Sequence, residues 1–389
     1  MNAMAPLPFR LFANPRAGTP GTVVLTEAGY RRARAEIVSW DDYAPTPLAD
    51  LPWAAGMARV GAVRIKDEGG RFGLGSFKAL GGAYAVAQVL RAELARAGVA
   101  RSASSADLTA GRYASATAGI TVTSATDGNH GRSVAWGAQR FGCRCVIFIH
   151  ATVSQGRADA IARYGAEVRR VTGNYDDAVR AAAAEASAHG WFVVSDTSWP
   201  GYTSVPVDVM QGYRVMVDEA IDQWAGAAPT HCFIQGGVGA VAASVSVQLR
   251  ARCAPAPALI VVEPDSAACL LASAETGTPT AIPGDLDTVM AGLACGEPSL
   301  LAWQELERGA AAFMAIPDAA AAAALRMLDA HGLTIGESGV AGLAGLLLAA
   351  ADPAARAALD LTGASRVLLF GTEGDTDPET YARLRDGGP

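Results

Sequence analysis

Of the 31 basic residues in this chain only two are lysines, Lys66 and Lys78, and the rest are arginines. A guanidinium stays protonated and does not attack a carbonyl to form an imine, whereas a desolvated lysine amine does. Arginine evidently serves for most of the generic positive charge here, so each retained lysine is a candidate for amine chemistry; two ordinary surface lysines are the alternative. Lys78 lies in Arg71-Phe72-Gly73-Leu74-Gly75-Ser76-Phe77-Lys78-Ala79-Leu80-Gly81-Gly82. Glycines on both sides and a neighbouring Phe77 describe a tightly enclosed amine, whose pKa falls on desolvation toward nucleophilic competence.

Three glycine-rich turns accompany it. In Gly236-Gly237-Val238-Gly239-Ala240, glycines let backbone N–H groups crowd around a phosphate while a following helix adds partial positive charge. The segment lacks the lysine of the nucleotide-binding P-loop and the full GxGxxG spacing, so alone it fits either a phosphate cradle or a tight turn. A second turn, Ser124-Ala125-Thr126-Asp127-Gly128-Asn129-His130-Gly131, gathers hydroxyls, a carboxylate and an amide at a helix start, where Asp127 or Asn129 could also serve simply as a cap. The third is Phe370-Gly371-Thr372-Glu373-Gly374-Asp375.

The elements that must position these residues alternate. A β-branched run over 120–124 is followed by a helical pattern over 132–141, apolar runs at 145–149 and 168–171, and amphipathic or Ala-rich segments at 155–164 and 175–189. A second series has a long helix pattern at 206–224, a strand at 231–235, a helix at 238–250, and buried strands at 259–263 and 366–370. Strands alternating with helices imply parallel sheets, an α/β fold, with ligands at the carboxyl ends of the strands where the three turns fall. Asp318 and Ser338 are placed to cap the helices that follow them, and 98–118 has the composition of a loop insertion.

Composition narrows the class. A chain of 389 residues, 51% hydrophobic and 18% charged, suits two or three structural units. Its net charge of -7 and scattered acidic residues offer no handle for nucleic acid or an anionic membrane. The six cysteines (143, 145, 232, 253, 269, 295) form no CxxC pair and the five histidines show no zinc spacing, so thiols in a reducing cytosol and no metal are expected. Residues 1–15 lack a signal-peptide pattern, and the longest apolar stretch, 339–351, is shorter than the ~20 residues that span a bilayer. A cytoplasmic protein without membrane contact is the expectation.

The motifs RFGLGSFKALGGAYA, ATDGNHGRSVAWGA, SDTSWPGY, GGVGA, MAGLACGEPS, GESG and GTEGDTD stand in register from Arg71 to Asp377. Together they resemble the tryptophan-synthase-β (fold type II) family of pyridoxal-phosphate enzymes, and within it the diaminopropionate ammonia-lyases. The resemblance implies two open twisted-sheet domains with helices on both faces and the cofactor in the cleft between them. It implies residues 1–80 and 205–389 as the larger, phosphate-binding domain, 81–204 as a smaller inserted one, and a homodimer.

It further implies that Lys78, next to Phe77, binds pyridoxal 5′-phosphate as an imine and moves the α-proton. Asn129 would meet the cofactor's phenolic oxygen, Gly236, Gly237, Val238, Gly239 and Ala240 its phosphate, and the Thr372 hydroxyl its pyridine nitrogen. Ser124, Thr126, Asp127 and His130 would face a small amino-acid substrate. Dehydratases of the family carry Ser or Thr where this chain has Asp127; a carboxylate there suits a β-ammonium group and acid/base work opposite Lys78. Asp196, in Ser195-Asp196-Thr197-Ser198-Trp199, matches a second carboxylate, Lys66 a Lys-x-Glu element with a structural ion pair, and Cys269 and Cys295 a pair open to disulfide formation. Gly75-Ser76, Pro200 and a short 331–336 depart from the family pattern. The implied reaction is α,β-elimination of 2,3-diaminopropionate; a serine/threonine dehydratase and a non-catalytic cofactor sensor are the alternatives.

Overall fold

The computed structural model of the protein describes residues 7–20, 24–126 and 128–388. Its strands are β1 Arg10–Ala13, β2 Leu48–Asp50, β3 Ala62–Asp67, β4 Thr121–Thr126, β5 Arg144–Ile149, β6 Glu167–Arg170, β7 Phe192–Val193, β8 His231–Gln235, β9 Ala258–Pro264, β10 Ala312–Ile316 and β11 Arg366–Gly371. They form a seven-stranded sheet in the order β1-β10-β9-β8-β11-β3-β2 and a four-stranded sheet in the order β6-β5-β4-β7. The small sheet is parallel throughout, and the large one is parallel except for the antiparallel edge strands β1 and β2. Helices cover the parallel strands, which explains why β8, β9 and β10 read as continuous apolar runs and not as alternating ones.

The sheets belong to two compact units. One comprises Met1–Val24, Pro45–Ser76 and Met216–Pro389, the other Leu25–Ala44 and Phe77–Val215. These borders differ from a division at 80/81 and 204/205, and long-range contacts explain the difference. Gln211 Nε2 and Arg214 NH1 each donate to Thr26 O at 3.1 Å, and Trp40 packs edge-on to Trp136 and Phe141 at 5.9 and 6.1 Å. These tie 25–44 and the first half of the helix Ser204–Gln223 to the smaller unit.

In the larger unit the core lies between the sheet and Ala-rich helices. Ala341–Ala351 is buried along almost its whole length because small side chains let it press on the sheet; a Cβ on Gly342 would lie 2.7 Å from Phe233 O. Two expected caps do other work. Asp318 takes hydrogen bonds from Thr288 Oγ1 (2.5 Å) and Val289 N (2.9 Å), and Ser338 Oγ accepts from Gly292 N (2.9 Å). The stretch 98–118 holds two short helices, Ser105–Thr109 and Ala114–Thr117, the first opened by a capping box of Ser104 and Asp107. Cys269 and Cys295 are thiols, Cys269 Sγ donating to Gly237 O at 3.7 Å. Among the described residues no helix is long and apolar enough to cross a membrane.

Candidate active site

Lys78 stands at the end of a tight turn. Phe72, Gly73 and Gly75 all have positive φ (51°, 69° and 75°), which only glycine adopts freely. Lys78 itself is the N-cap of the helix Ala79–Arg96, so its side chain is aimed by a rigid element. Its Nζ lies 2.5 Å from Asp196 Oδ2 and over the rings of Phe77 and Tyr213, 5.3 and 5.7 Å from their centroids. Asp196 is buried, and Tyr213 OH donates to the same Oδ2 at 3.3 Å. Burial alone would raise the Asp196 carboxyl, but the Lys78 ammonium, His130 and the two hydrogen bonds outweigh it and hold the group at about 2. An anion beside a cation inside the protein is the result.

The turn after β4 is built around Thr126. Its Oγ1 accepts from Gly128 N (2.9 Å) and Gly131 N (3.0 Å), so the hydroxyl at the end of the strand does capping work expected of Asp127 or Asn129. Gly128, at φ 150°, then delivers Asn129 as the first residue of the helix Asn129–Phe141, where its Oδ1 accepts from Arg132 at 2.5 Å. Ser124 is fully buried and donates to Ala125 O at 3.2 Å. His130 Nε2 lies 2.9 Å from Val194 O, which can only accept, so that nitrogen carries the ring proton. Asp127 lies outside the described residues.

In the larger unit the other two glycine turns sit side by side, at the carboxyl ends of the adjacent parallel strands β8 and β11. Gly237 and Gly239 adopt φ 57° and 96°, and Gly239 is the N-cap of the 13-residue helix Ala240–Arg252. The first amides of that helix have no intrahelical acceptor, so the loop and helix start present backbone N–H groups and a positive helix end. Gly236 is obligatory: a Cβ there would be 2.5 Å from Glu263 Cγ. Glu263 accepts from Leu270 N and Leu271 N (2.9 and 2.8 Å), and burial pushes its carboxyl up to about 8 against the pull of those amides. A mostly neutral acid therefore backs the loop, so this cradle fits a phosphate dianion.

Thr372 is buried beside it. Gln235 Nε2, at the end of β8, faces Phe370 O (2.7 Å), Gly339 O (2.8 Å) and Thr372 Oγ1 (3.1 Å). With its oxygen facing an amide nitrogen, the Thr372 hydroxyl keeps its own proton for another acceptor such as a ring nitrogen. The phosphate cradle with its hydroxyl donor in the larger unit fits the phosphate and ring nitrogen of pyridoxal phosphate, and the enclosed lysine amine of the smaller unit fits its aldehyde.

Residues 40–371 match the model of the family described as pyridoxal-phosphate dependent enzyme. The chain belongs to that family. It is 40% identical over 353 residues to diaminopropionate ammonia-lyase of Escherichia coli K12, covering 88% of this chain and 87% of that one. Crystal structures of the Escherichia coli ammonia-lyase match as well. The complex with D-serine superposes with a TM-score of 0.87 at 36% identity, and the complex with an aminoacrylate-PLP azomethine reaction intermediate with 0.86 at 37%; each covers 97% of both chains. The fold is that of fold type II and the cofactor is pyridoxal 5′-phosphate.

Within this pyridoxal-phosphate enzyme the structure brings Lys78, Phe77 and Asp196 together, with His130 near enough to act on Asp196 electrostatically. Sequence reasoning missed Tyr213, Gln235 and Glu263. A Tyr within an amphipathic helix reads as core, and Glu263 at the end of an apolar strand gives no periodic signal. Only Gln235, polar between an apolar run and a glycine loop, was visible as an oddity.

Proposed function

We propose that this chain is an ammonia-lyase that converts 2,3-diaminopropionate and one water into pyruvate and two ammonia. The 2.5 Å contact of Lys78 with the buried Asp196 carboxylate carries the reading, in a chain so similar to an ammonia-lyase of that substrate. Bound pyridoxal phosphate supplies an electron-withdrawing ring that takes up the electron pair left when the Cα–H bond breaks. Lys78 holds the cofactor through its amine and, once freed, exchanges a proton at Cα. The Gly236–Ala240 loop would hold the phosphate, Asn129 would meet the ring oxygen, and the Thr372 hydroxyl would donate a hydrogen bond to the ring nitrogen. A hydroxyl in that place is a weaker electron-sink partner than a carboxylate, which favours elimination over transamination.

The second amino group is held as the β-ammonium, which already carries the proton with which it leaves Cβ as ammonia. Asp127 and Asp196 are the two carboxylates proposed to bind that ammonium, and Asp196, as an anion, serves as a base and not as an acid. Ser124, Thr126 and His130 complete the substrate side. With an amine and a carboxylate as separate bases, both enantiomers of the substrate react. The reading includes a homodimer in the cytoplasm, which light scattering of the purified protein and fractionation would check.

The test is release of pyruvate and ammonia from each enantiomer of diaminopropionate and from serine. Diaminopropionate should be turned over at least a hundredfold faster than serine, and Asp127→Asn and Asp196→Asn should each lose on the order of 10²–10⁴ in rate. Faster turnover of serine makes the chain a dehydratase; no ammonia from any amino acid makes it a cofactor sensor. Unchanged activity toward the D isomer in both variants ends the two-base reading.

A further inference from the structure

We infer that Tyr213 is a positioning residue, its hydroxyl keeping Asp196 ionised and oriented for work on the substrate. The inference rests on the ammonia-lyase function proposed above. Asp196 is buried, and a carboxylate withdrawn from water persists as an ion only where donors face it. Lys78 Nζ and Tyr213 OH both reach Asp196 Oδ2, at 2.5 and 3.3 Å. Lys78 is the group the reaction engages elsewhere, since its amine also holds the cofactor. Tyr213 undergoes no chemistry and is the donor that stays.

The packing is built to seat that hydroxyl. The Tyr213 ring is fully buried and lies 4.6 Å from the Phe77 ring. A Cβ on Gly81 would lie 2.5 Å from Tyr213 Cε1, and one on Gly212 would lie 2.0 Å from Leu80 O. Two glycines 131 positions apart thus let the helices Ala79–Arg96 and Ser204–Gln223 close on each other with the phenol beside the Lys78–Asp196 pair. The backbone before Asp196 is pinned by a second phenol: Ser195 N donates to Tyr202 OH (3.1 Å), which donates to Val193 O (2.9 Å). Among the described residues, Lys78, His130 and Tyr213 are titratable groups that act on Asp196, and Asp196 in turn acts on Tyr202.

Tyr213→Phe removes one hydroxyl and keeps the ring. In the holoenzyme it should raise the acid limb of the kcat/KM profile by about one to two pH units, the size expected for a hydrogen bond to a charged group. KM for diaminopropionate should stay within about twofold. Replacement of Tyr213 by 3-fluorotyrosine, a stronger donor of nearly the same shape, should move the limb the other way. The Asp196 carboxyl, followed by ¹³C NMR and assigned by its loss in Asp196→Asn, should titrate higher in Tyr213→Phe. In an Asp196→Asn background, Tyr213→Phe should add nothing further. An unmoved acid limb and carboxyl titration in folded Tyr213→Phe, or a full additional loss in the double variant, would overturn the inference. Absence of ammonia release from the native protein would sink the ammonia-lyase function instead, while the carboxyl titration would still read the Tyr213–Asp196 coupling.

Discussion

Asp196 exists as an anion in the protein interior because its neighbours outweigh its desolvation, and that balance has a measurable pH signature. Its folded-state value of about 2 lies below the ordinary 3.8. Ionised Asp196 therefore contributes stability above about pH 4, which is lost as the pH falls from there toward 2. The contribution is about 2 kcal/mol at roughly 1.4 kcal/mol per pH unit. In urea unfolding of the cofactor-free protein, the gap between the native chain and Asp196→Asn should narrow by that amount between pH 5 and pH 2. A gap that does not change with pH would mean that Asp196 is not held as an ion. At this scale the sequence exposed Lys78, because a composition almost free of lysine isolates it. It could not say which side chain caps the helix after β4, since Asp127 and Asn129 can both do so. The φ of 150° at Gly128 and the reach of Thr126 Oγ1 decide that.

Close approach of helices is what turns these residues into a site, and glycines control it. Gly212 faces Leu80 O, Leu80 C and Gly81 Cα at 2.0, 2.7 and 2.9 Å from an added Cβ, all backbone atoms that cannot rotate away. Gly212→Ala should destabilise the protein by about 3 kcal/mol, the upper part of the range for overpacking a filled contact. Gly56→Ala is the matched control. It lies in the helix Pro52–Ala58 with nothing within 4 Å of an added Cβ, and it should stabilise by about 0.5–1 kcal/mol. Equal effects of the two substitutions in urea unfolding would refute the close-approach account. Most elements were legible from pattern: 231–235 is a strand over those same residues, and the helix patterns at 132–141 and 206–224 are present as Asn129–Phe141 and Ser204–Gln223. Their starts lie three and two residues earlier, the first because Thr126 Oγ1 caps it ahead of the periodic stretch. The helices inside 98–118 escaped notice because helices of five and four residues carry almost no periodic signal.

For the whole molecule the α/β class was legible because strand and helix patterns alternate through the chain, whereas the borders of the two units depend on pairs such as Gln211 and Thr26, 185 positions apart. The same holds for the second lysine. Lys66 is fully buried, and its Nζ faces Thr46 O at 2.5 Å, Glu219 Oε2 at 2.7 Å and Gln223 Oε1 at 2.9 Å. Three acceptors around one nitrogen suit a compact ammonium with three protons, which a planar guanidinium cannot imitate, so Lys66 escaped replacement for shape where Lys78 escaped it for chemistry. Arg71 completes the cluster, with a fork to Glu68 at 2.8 Å on both bonds and contacts to Glu219 at 2.7 and 2.9 Å. Two cations thus balance two anions, joining segments near 46, 66–71 and 219–223 under the turn that leads to Lys78. Breaking a buried ionic set on one side leaves an uncompensated charge, which costs about 3–5 kcal/mol, whereas removing a balanced pair is often close to neutral. Glu219→Leu alone should therefore lower the unfolding free energy by about 3–5 kcal/mol, and Lys66→Met alone by a similar amount. The double variant leaves Arg71 balanced by Glu68 and should recover most of that loss. Urea unfolding of the four proteins gives the coupling directly. If the losses simply add, the cluster is not a mutually neutralised unit, and the second lysine is held in place by something other than its charge.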